Sequence, residues 1–377
     1  MARPQTEAEL AEFVRGAQAP FWIGGGGTRG VSGAGGVLSL GGLRGIELYE
    51  PGALTLVVRA GTPLAEVEAV LAGENQHLAF EPMDHRGLLG TTGEPTVGGV
   101  VAANVSGPRR VQAGACRDFL LGVRYVDGMG RVIRNGGRVM KNVTGYDLVR
   151  LMAGSWGSLG VLSEVALKVL PRAETQATLI VGAADAEGAV RAMSAALASP
   201  FGVSGAAFDP GHAGGPAVLI RIEGFEASVA YRAGQLETLL GGYGAVGRIG
   251  AEASAALWRA VRDVAPFHGL RGDVWRLSVK PSDAPAIAAR LEAGRLLLDW
   301  GGGLIWALVA EGTDLRARAG SFGGHATLVR GGAETLARLG MFQPEPAPLA
   351  AITRGLRGRF DPRGLFNPGL MPAPAAV

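Results

Sequence analysis

The chain has 377 residues, 47% of them apolar and 18% charged, with a formal net charge of +3; that suits about two domains with sizeable cores and excludes global disorder. The single cysteine, Cys116, excludes an internal disulfide, a cysteine-based zinc site and an iron–sulfur cluster held by this chain alone. Lysine occurs only at Lys141, Lys168 and Lys280, and the many arginines are spread without a dense tract, which argues against nucleic acid as a partner.

Residues 6–17 are predicted to be helical, because Thr6 and Glu9 form a capping-box pair and Leu10, Phe13, Val14 and Ala17 recur at helical spacing. This start does not read as a signal peptide, and no run of 18 apolar residues predicts a membrane span. A short strand at 21–23 runs into Gly24-Gly25-Gly26-Gly27-Thr28-Arg29-Gly30. Strands are predicted at 37–40, 46–49 and, more strongly, 55–60. Thr62 and Pro63 suit the N-cap and first position of a helix carrying Leu64, Val67, Val70 and Leu71 on its apolar face. Residues 82–116 are dense in Gly, Pro, Ser, Thr and Asn, and loops of that length are usually functional. A hairpin is expected at 120–127 and 131–134, then a strand at 162–170 that Pro171 ends.

From about 175 the pattern changes. Strand 178–182, helix 186–198, strands 206–209 and 217–223, helix 227–240 and strand 245–249 give the order βαββαβ, the ferredoxin-like split motif. Helices at 252–264 and 283–293, and strands at 274–279, 304–309 and 326–329, extend it. A proline-rich stretch at 344–348 precedes a last helix at 349–359. No long internal repeat is legible.

Gly25, Gly27 and Gly30 satisfy G-x-G-x-x-G, but a dinucleotide fingerprint of the Rossmann type needs a helix to start inside it. Three more glycines after Gly30 (Gly33, Gly35 and Gly36) forbid that, at about 1 kcal/mol each relative to Ala. The run is either an anion-binding nest of inward backbone N–H groups, helped by Thr28 and Arg29, or a plain loop. Further small, polar segments follow: 95–99, 102–109, 114–118, 141–148 and 154–161. Together they could line one extended ligand.

In that order these segments resemble the FAD-binding domain of the vanillyl-alcohol oxidase / p-cresol methylhydroxylase superfamily, over about residues 5–172. Val-Ser-Gly-Pro-Arg-Arg at 105–110, Arg117-Asp118, Met-Lys-Asn-Val-Thr-Gly-Tyr-Asp-Leu at 140–148 and Arg150-Leu151-Met152 are similar, more narrowly, to the FAD-binding E subunits of bacterial glycolate oxidases. In the second domain Gly-Gly-His-Ala-Thr-Leu-Val-Arg at 323–330 is the best matching fragment. The fold implied is α+β: a two-subdomain FAD-binding domain of the p-cresol methylhydroxylase type at 1–174, a ferredoxin-like α+β cap at 175–343, and a C-terminal segment at 344–377 returning to the FAD domain.

The resemblance implies that Gly24, Gly25, Gly26, Gly27 and Thr28 hold the FAD pyrophosphate. Thr96, Val97, Gly98 and Gly99, with Asn104, Ser106 and Gly107, would line the pyrophosphate and isoalloxazine. Gly114 and Asp118 would flank the flavin, and Gly157, Leu159, Gly160 and Val161 would follow the adenosine half. Asn367 would approach the ring from the tail. Residues 24–30 contain no His to attach flavin, so the FAD is expected to be non-covalent.

The reactive residues leave the catalytic base unassigned. His77, His85, His212, His268 and His325 form no H-x-H or H-x-x-x-H pair, so no metal site is expected. His325 suits either a polar role near the flavin or a hydrogen-bonded structural one. Lys141 and Tyr146 either position a ligand or cap a turn. Arg109 and Arg110 either neutralise a phosphate or carboxylate or are solvated, and Cys116 reads as a small buried residue. Trp300 and Trp306 read as core.

By resemblance the function expected is that of an FAD-binding subunit of a glycolate oxidase (dehydrogenase) complex, with an electron-transfer or assembly role. Its partners would be a catalytic flavoprotein subunit and an iron–sulfur subunit, acting on a small 2-hydroxy acid. The chain would be cytoplasmic, touching the inner face of the membrane at most through those partners. The alternatives are a self-sufficient FAD oxidoreductase of a 2-hydroxy acid or sugar lactone, and a non-catalytic structural subunit.

Overall fold

The computed structural model describes residues 1–30, 33, 35–138 and 145–371. Lys141, one residue of the 140–148 motif, lies outside the described residues. Described residues within 1–106, 115–172 and from 344 onward form one compact unit; those within 107–114 and 173–343 form the other.

The first unit opens with α1 (Glu7–Gly16), which starts where Thr6 Oγ1 accepts the Glu9 N–H. The Glu9 carboxylate reaches back to the Gln5 N–H at 2.8 Å, one residue beyond the expected capping-box partner. β1 (Phe21–Gly24) and β2 (Gly36–Ser39) pair in parallel across the glycine run. β3 (Ile46–Glu50) and β4 (Thr55–Arg59) follow, then α2 (Leu64–Gly73) and β5 (Gln76–His77). The expected cap of α2 is displaced: Pro63 holds the N-cap position, while the Thr62 hydroxyl accepts the Gly45 N–H at 3.0 Å.

The stretch at 82–116 is built of short helices: α3 (Arg86–Leu89), α4 (Val97–Ala102) and α5 (Arg110–Ala113), the last belonging to the second unit. Thr96 caps α4 by accepting the Gly99 N–H, which lets a helix start despite two adjacent glycines. β6 (Leu120–Val126) and β7 (Val132–Gly136) form the expected hairpin. α6 (Leu148–Met152), β8 (Val161–Lys168) and β9 (Leu170–Pro171) follow. β3, β4, β8, β6 and β7 form one antiparallel sheet in that order, and β5 pairs with β9.

The second unit runs β10 (Thr175–Gly182), α7 (Ala186–Ala198), β11 (Val203–Asp209), β12 (Ala217–Gly224), α8 (Glu226–Leu240), β13 (Val246–Ile249) and α9 (Ala251–Arg262). It continues with β14 (Asp273–Val279), α10 (Ala284–Leu291), β15 (Arg295–Asp299), β16 (Leu304–Val309), α11 (Leu315–Ala319), β17 (Gly324–Arg330) and α12 (Ala333–Leu339). The order βαββαβ therefore occurs twice, at β10–β13 and at β14–β17. The halves join through β11 and β15 in one sheet, β13-β10-β12-β11-β15-β16-β14-β17, whose outward reading from the join is the same in both directions. The repetition lies in topology and not in residue identity, which is why it is not legible in the sequence. Trp275, Leu277, Ile305, Ala307, Leu298 and the α7 residues Ala189, Ala192 and Met193 fill one core.

The last helix, α13 (Ala347–Phe360), belongs to the first unit. Beyond it the chain lies along β1: Phe21 N–H donates to Leu365 O at 2.8 Å, and Asn367 N–H donates to Phe21 O at 3.0 Å. The α+β architecture, with a terminal segment returning to the first unit, is the one expected.

Candidate functional site

A cleft in the first unit is lined by the β1 end (Trp22, Ile23), the run Gly24–Arg29, the α4 start (Pro95, Thr96, Gly98, Gly99), residues 102–103, Trp156, Gly157, Gly160 and Leu162, and the tail residues Asn367 and Leu370. Parallel pairing of β1 and β2 forces the chain to return between them, and the loop that makes the return is the glycine run. A Cβ on Gly26 would stand 1.4 Å from the carbonyl oxygen of Glu94, so this loop and residues 93–96 pack backbone on backbone. Gly157 has φ +72°, and a Cβ there would stand 2.9 Å from Asn367 Nδ2.

Asn367 fixes the far wall. Its Oδ1 accepts the Ile23 N–H at 2.7 Å and its Nδ2 donates to Trp156 O at 2.7 Å, so one side chain ties the tail to both flanking segments. Asn367 itself has φ +46°, a conformation Asn tolerates better than most residues.

The polar chemistry of the cleft is that of unsatisfied donors. The Trp22 Nε1–H and the Arg29 Nε–H are both buried and have no hydrogen-bond partner among the described residues. Arg29 Nη1 donates to Gly99 O, and its guanidinium carbon stands 5.7 Å from the centre of the Trp156 ring. Among the described residues no carboxylate pairs with it. Burial lowers its pKa to about 10, so it stays charged at neutral pH. Each buried, unsatisfied donor costs about 1–3 kcal/mol, a cost that an acceptor-rich anion in the cleft removes. Backbone N–H groups exposed by glycines, a cation and two vacant donors fit a pyrophosphate, so the residues present suit FAD.

Of the residues expected at the cofactor, Gly24 to Thr28, Thr96, Gly98, Gly99, Gly157, Gly160 and Asn367 come together in this cleft. Val97, Leu159 and Val161 are buried but do not line it. Asn104, Ser106 and Asp118 spend their side chains on their own loop: they accept the N–H groups of Arg117 (3.0 Å), Cys116 (2.9 Å) and Ala115 (2.9 Å). Gly107 and Gly114 bound the segment that belongs to the second unit. Cys116 is wholly buried, and burial raises its thiol pKa far above the ordinary value, which makes it inert. Trp156 lies in the expected segment 154–161 but is not singled out there, and Trp22 stands outside the expected segments, because an isolated Trp beside glycines carries no periodic signal.

In the second unit Arg109 is a structural residue, ion-paired to Glu223 at 2.7 Å, while Arg110 stacks over the Trp300 ring. His325 is the second residue of β17, opposite Ser278 of β14. Tyr146 is almost fully exposed, and its carbonyl accepts the Asn135 side-chain amide at 3.1 Å.

Comparison with known proteins agrees with the cleft. Residues 1–136 match the family model of an FAD binding domain. Glycolate oxidase subunit GlcE of Escherichia coli (strain K12) is 40% identical over 330 residues, covering 87% of this chain and 85% of that protein. The chain belongs to the GlcE family. Glycolate oxidase subunit GlcD of Bacillus subtilis (strain 168) is 34% identical over 146 residues, 39% of this chain and 30% of that protein. Among solved structures, an alkyldihydroxyacetonephosphate synthase superposes with a TM-score of 0.69 at 14% identity, over 97% of this chain and 75% of that one, which shows a shared fold. The GlcE-family chain thus carries an FAD-binding domain of the p-cresol methylhydroxylase type. No helix among its described residues is long and apolar enough to cross a membrane.

Proposed function

We propose that this chain is the FAD-carrying subunit of a glycolate oxidase complex that oxidises glycolate to glyoxylate. The observation that carries the proposal is the glycine-built cleft with its vacant Arg29 and Trp22 donors, inside the segment that matches an FAD binding domain. Arg29, Thr28 and the backbone of Gly24 to Gly27 would hold the pyrophosphate, and Asn367 ties the tail to the cleft wall. The bound flavin supplies hydride acceptance or one-electron relay. The protein's part is to hold the flavin in place and keep water from it.

FAD is bound non-covalently in this reading, since residues 24–30 offer no His and the Cys116 thiol is buried and protonated. The relatives are named as subunits of a glycolate oxidase, which supports assembly with other chains. The resemblance to the E subunits of glycolate oxidases implies two partners, a catalytic flavoprotein subunit and an iron–sulfur subunit; a single cysteine, which cannot hold a cluster by itself, agrees with that division. Any contact with the inner face of the cell membrane is made through them.

The test is the visible spectrum of the purified chain, before and after anaerobic glycolate. A flavin spectrum released intact by acid precipitation supports the cofactor assignment and its non-covalent attachment. A chain without flavin overturns the assignment. Bleaching by glycolate locates hydride transfer in this chain; an unchanged spectrum locates it in a partner.

A further inference from the structure

The last helix differs from the others of its unit. α1 buries Leu10, Ala11 and Val14, and α2 buries Leu64, Val67 and Leu71, but none of the 14 residues of α13 is buried. Its apolar residues are nevertheless in register. Leu349, Ile352 and Leu356 fall at i, i+3 and i+7, so they form one stripe, and Arg359 continues it at i+10. Ile352 is 62% exposed, and Leu349 and Leu356 are exposed beside it. A helix that carries an apolar stripe and leaves it uncovered within its own chain offers that stripe to another surface.

The same unit carries a surface of complementary chemistry. Glu9, Glu12, Phe13, Gly16 and Ala17 line a groove along α1, in which apolar and small residues lie beside two exposed carboxylates. α13 holds three arginines, Arg354, Arg357 and Arg359, and no acidic residue. Among the described residues, the side chains of Glu12 and Arg359 make no ion pair or hydrogen bond. The hairpin turn between β6 and β7 ties the two helices together. Gly128 N–H donates to Phe360 O, at the end of α13, at 2.8 Å. Gly130 O accepts from Arg15 Nη2, at the end of α1, at 3.2 Å. Met129, between these two anchors, is 45% exposed. An acidic groove, an exposed apolar turn and a basic helix with an apolar stripe therefore follow one another within one unit.

We propose that this face pairs two copies of the chain, the α13 of each lying on the α1 groove of the other. A two-fold axis beside Met129 makes both contacts at once, because a surface with its two complementary halves on either side of the axis meets itself in register. Leu349, Ile352 and Leu356 of one copy are covered by the Phe13 and Ala17 groove of the second, and Arg359 meets Glu12. Charge sets the arrangement: α13 against α1 brings unlike charges together, whereas α13 against α13 gathers arginines. The pairing uses neither the cleft nor the flavin, so it does not rest on the function proposed above.

Sedimentation velocity of the full-length chain over a concentration series tests this. A species of twice the chain mass is expected to grow with concentration and to recede as salt is added, since its ion pairs lie at the surface. Ile352→Asp should weaken pairing about tenfold or more, because it places an unpaired charge under the second copy. Arg359→Glu and Glu12→Arg should each weaken it about tenfold, and the two combined in one chain should restore it. Tyr231→Asp, at a position 64% exposed on α8 of the other unit, should pair as the unaltered chain does. A chain that stays monomeric at every concentration overturns the proposal. So does unchanged pairing in Ile352→Asp, or a combined variant that pairs no better than either single one. A monomer that needs Ile352 to hold a different subunit would give this face to that subunit and overturn the pairing as well. A chain that pairs while holding no flavin upholds this face and overturns the cofactor assignment.

Discussion

A buried donor without a partner is the most informative feature that a single side chain can show, because native structures leave few of them. Arg29 is such a residue, and its charge has no acidic counterpart among the described residues. Arg29→Leu is expected to weaken FAD binding about tenfold to a hundredfold, measured by quenching of flavin fluorescence on titration, with the far-ultraviolet circular dichroism unchanged. An equal loss of secondary structure would show instead that Arg29 serves the fold. The same scale holds a prediction for His325. Its pKa is depressed first by burial, then by Arg276 and by Arg110, so the imidazole is neutral at pH 7 and gains its proton only below the ordinary histidine range. Removing the Arg276 charge should therefore raise the His325 pKa while leaving the part due to burial. Histidine C–H resonances followed through a pH titration, with the His325 signal identified by its loss in His325→Asn, read the shift. A value that falls or stays in Arg276→Gln would show that the two groups do not sense each other.

Elements differ in how far their sequence determines them. α7 (Ala186–Ala198) keeps its expected bounds because Asp185 caps it by accepting the Gly188 N–H and its apolar stripe is regular. β15 (Arg295–Asp299) is missed because it belongs to an almost continuous apolar run with β16, where period-2 alternation is weak and only Asp299 and the glycines mark the turn. The loop at 82–116 hides three short helices because Thr96 can cap a helix whose first turn holds Gly98 and Gly99, a local compensation that propensity alone does not show. The glycine run is legible for a plainer reason: its glycines exclude a stable helix, and its described residues form bends and turns after β1. What the sequence does not show is which glycine is indispensable. The close approach to Glu94 O singles out Gly26. Gly26→Ala should displace the loop, weaken FAD binding and cost about 1–3 kcal/mol of stability; thermal denaturation with and without added FAD checks both. Ala is tolerated at that position only if the 93–96 segment moves, and unchanged FAD affinity would show that it does so freely.

At the scale of the whole molecule, three stretches of sequence build the first unit, while the second closes around a single eight-stranded sheet with its own core. A unit with its own core can unfold as a cooperative step of its own. Scanning calorimetry is therefore expected to resolve two transitions, of which added FAD raises only one, since a ligand stabilises the unit that binds it. Asn367→Ala identifies that transition independently. Its side chain makes the hydrogen bonds to Ile23 and Trp156 that join the tail to the cleft wall, and losing them should cost about 1–3 kcal/mol within the first unit. The FAD-responsive transition should fall by several degrees, and the other should stay where it is. A single transition that moves as a whole in Asn367→Ala would mean that the two units fold as one. A shift confined to the FAD-insensitive transition would place the cofactor outside the cleft that Asn367 closes.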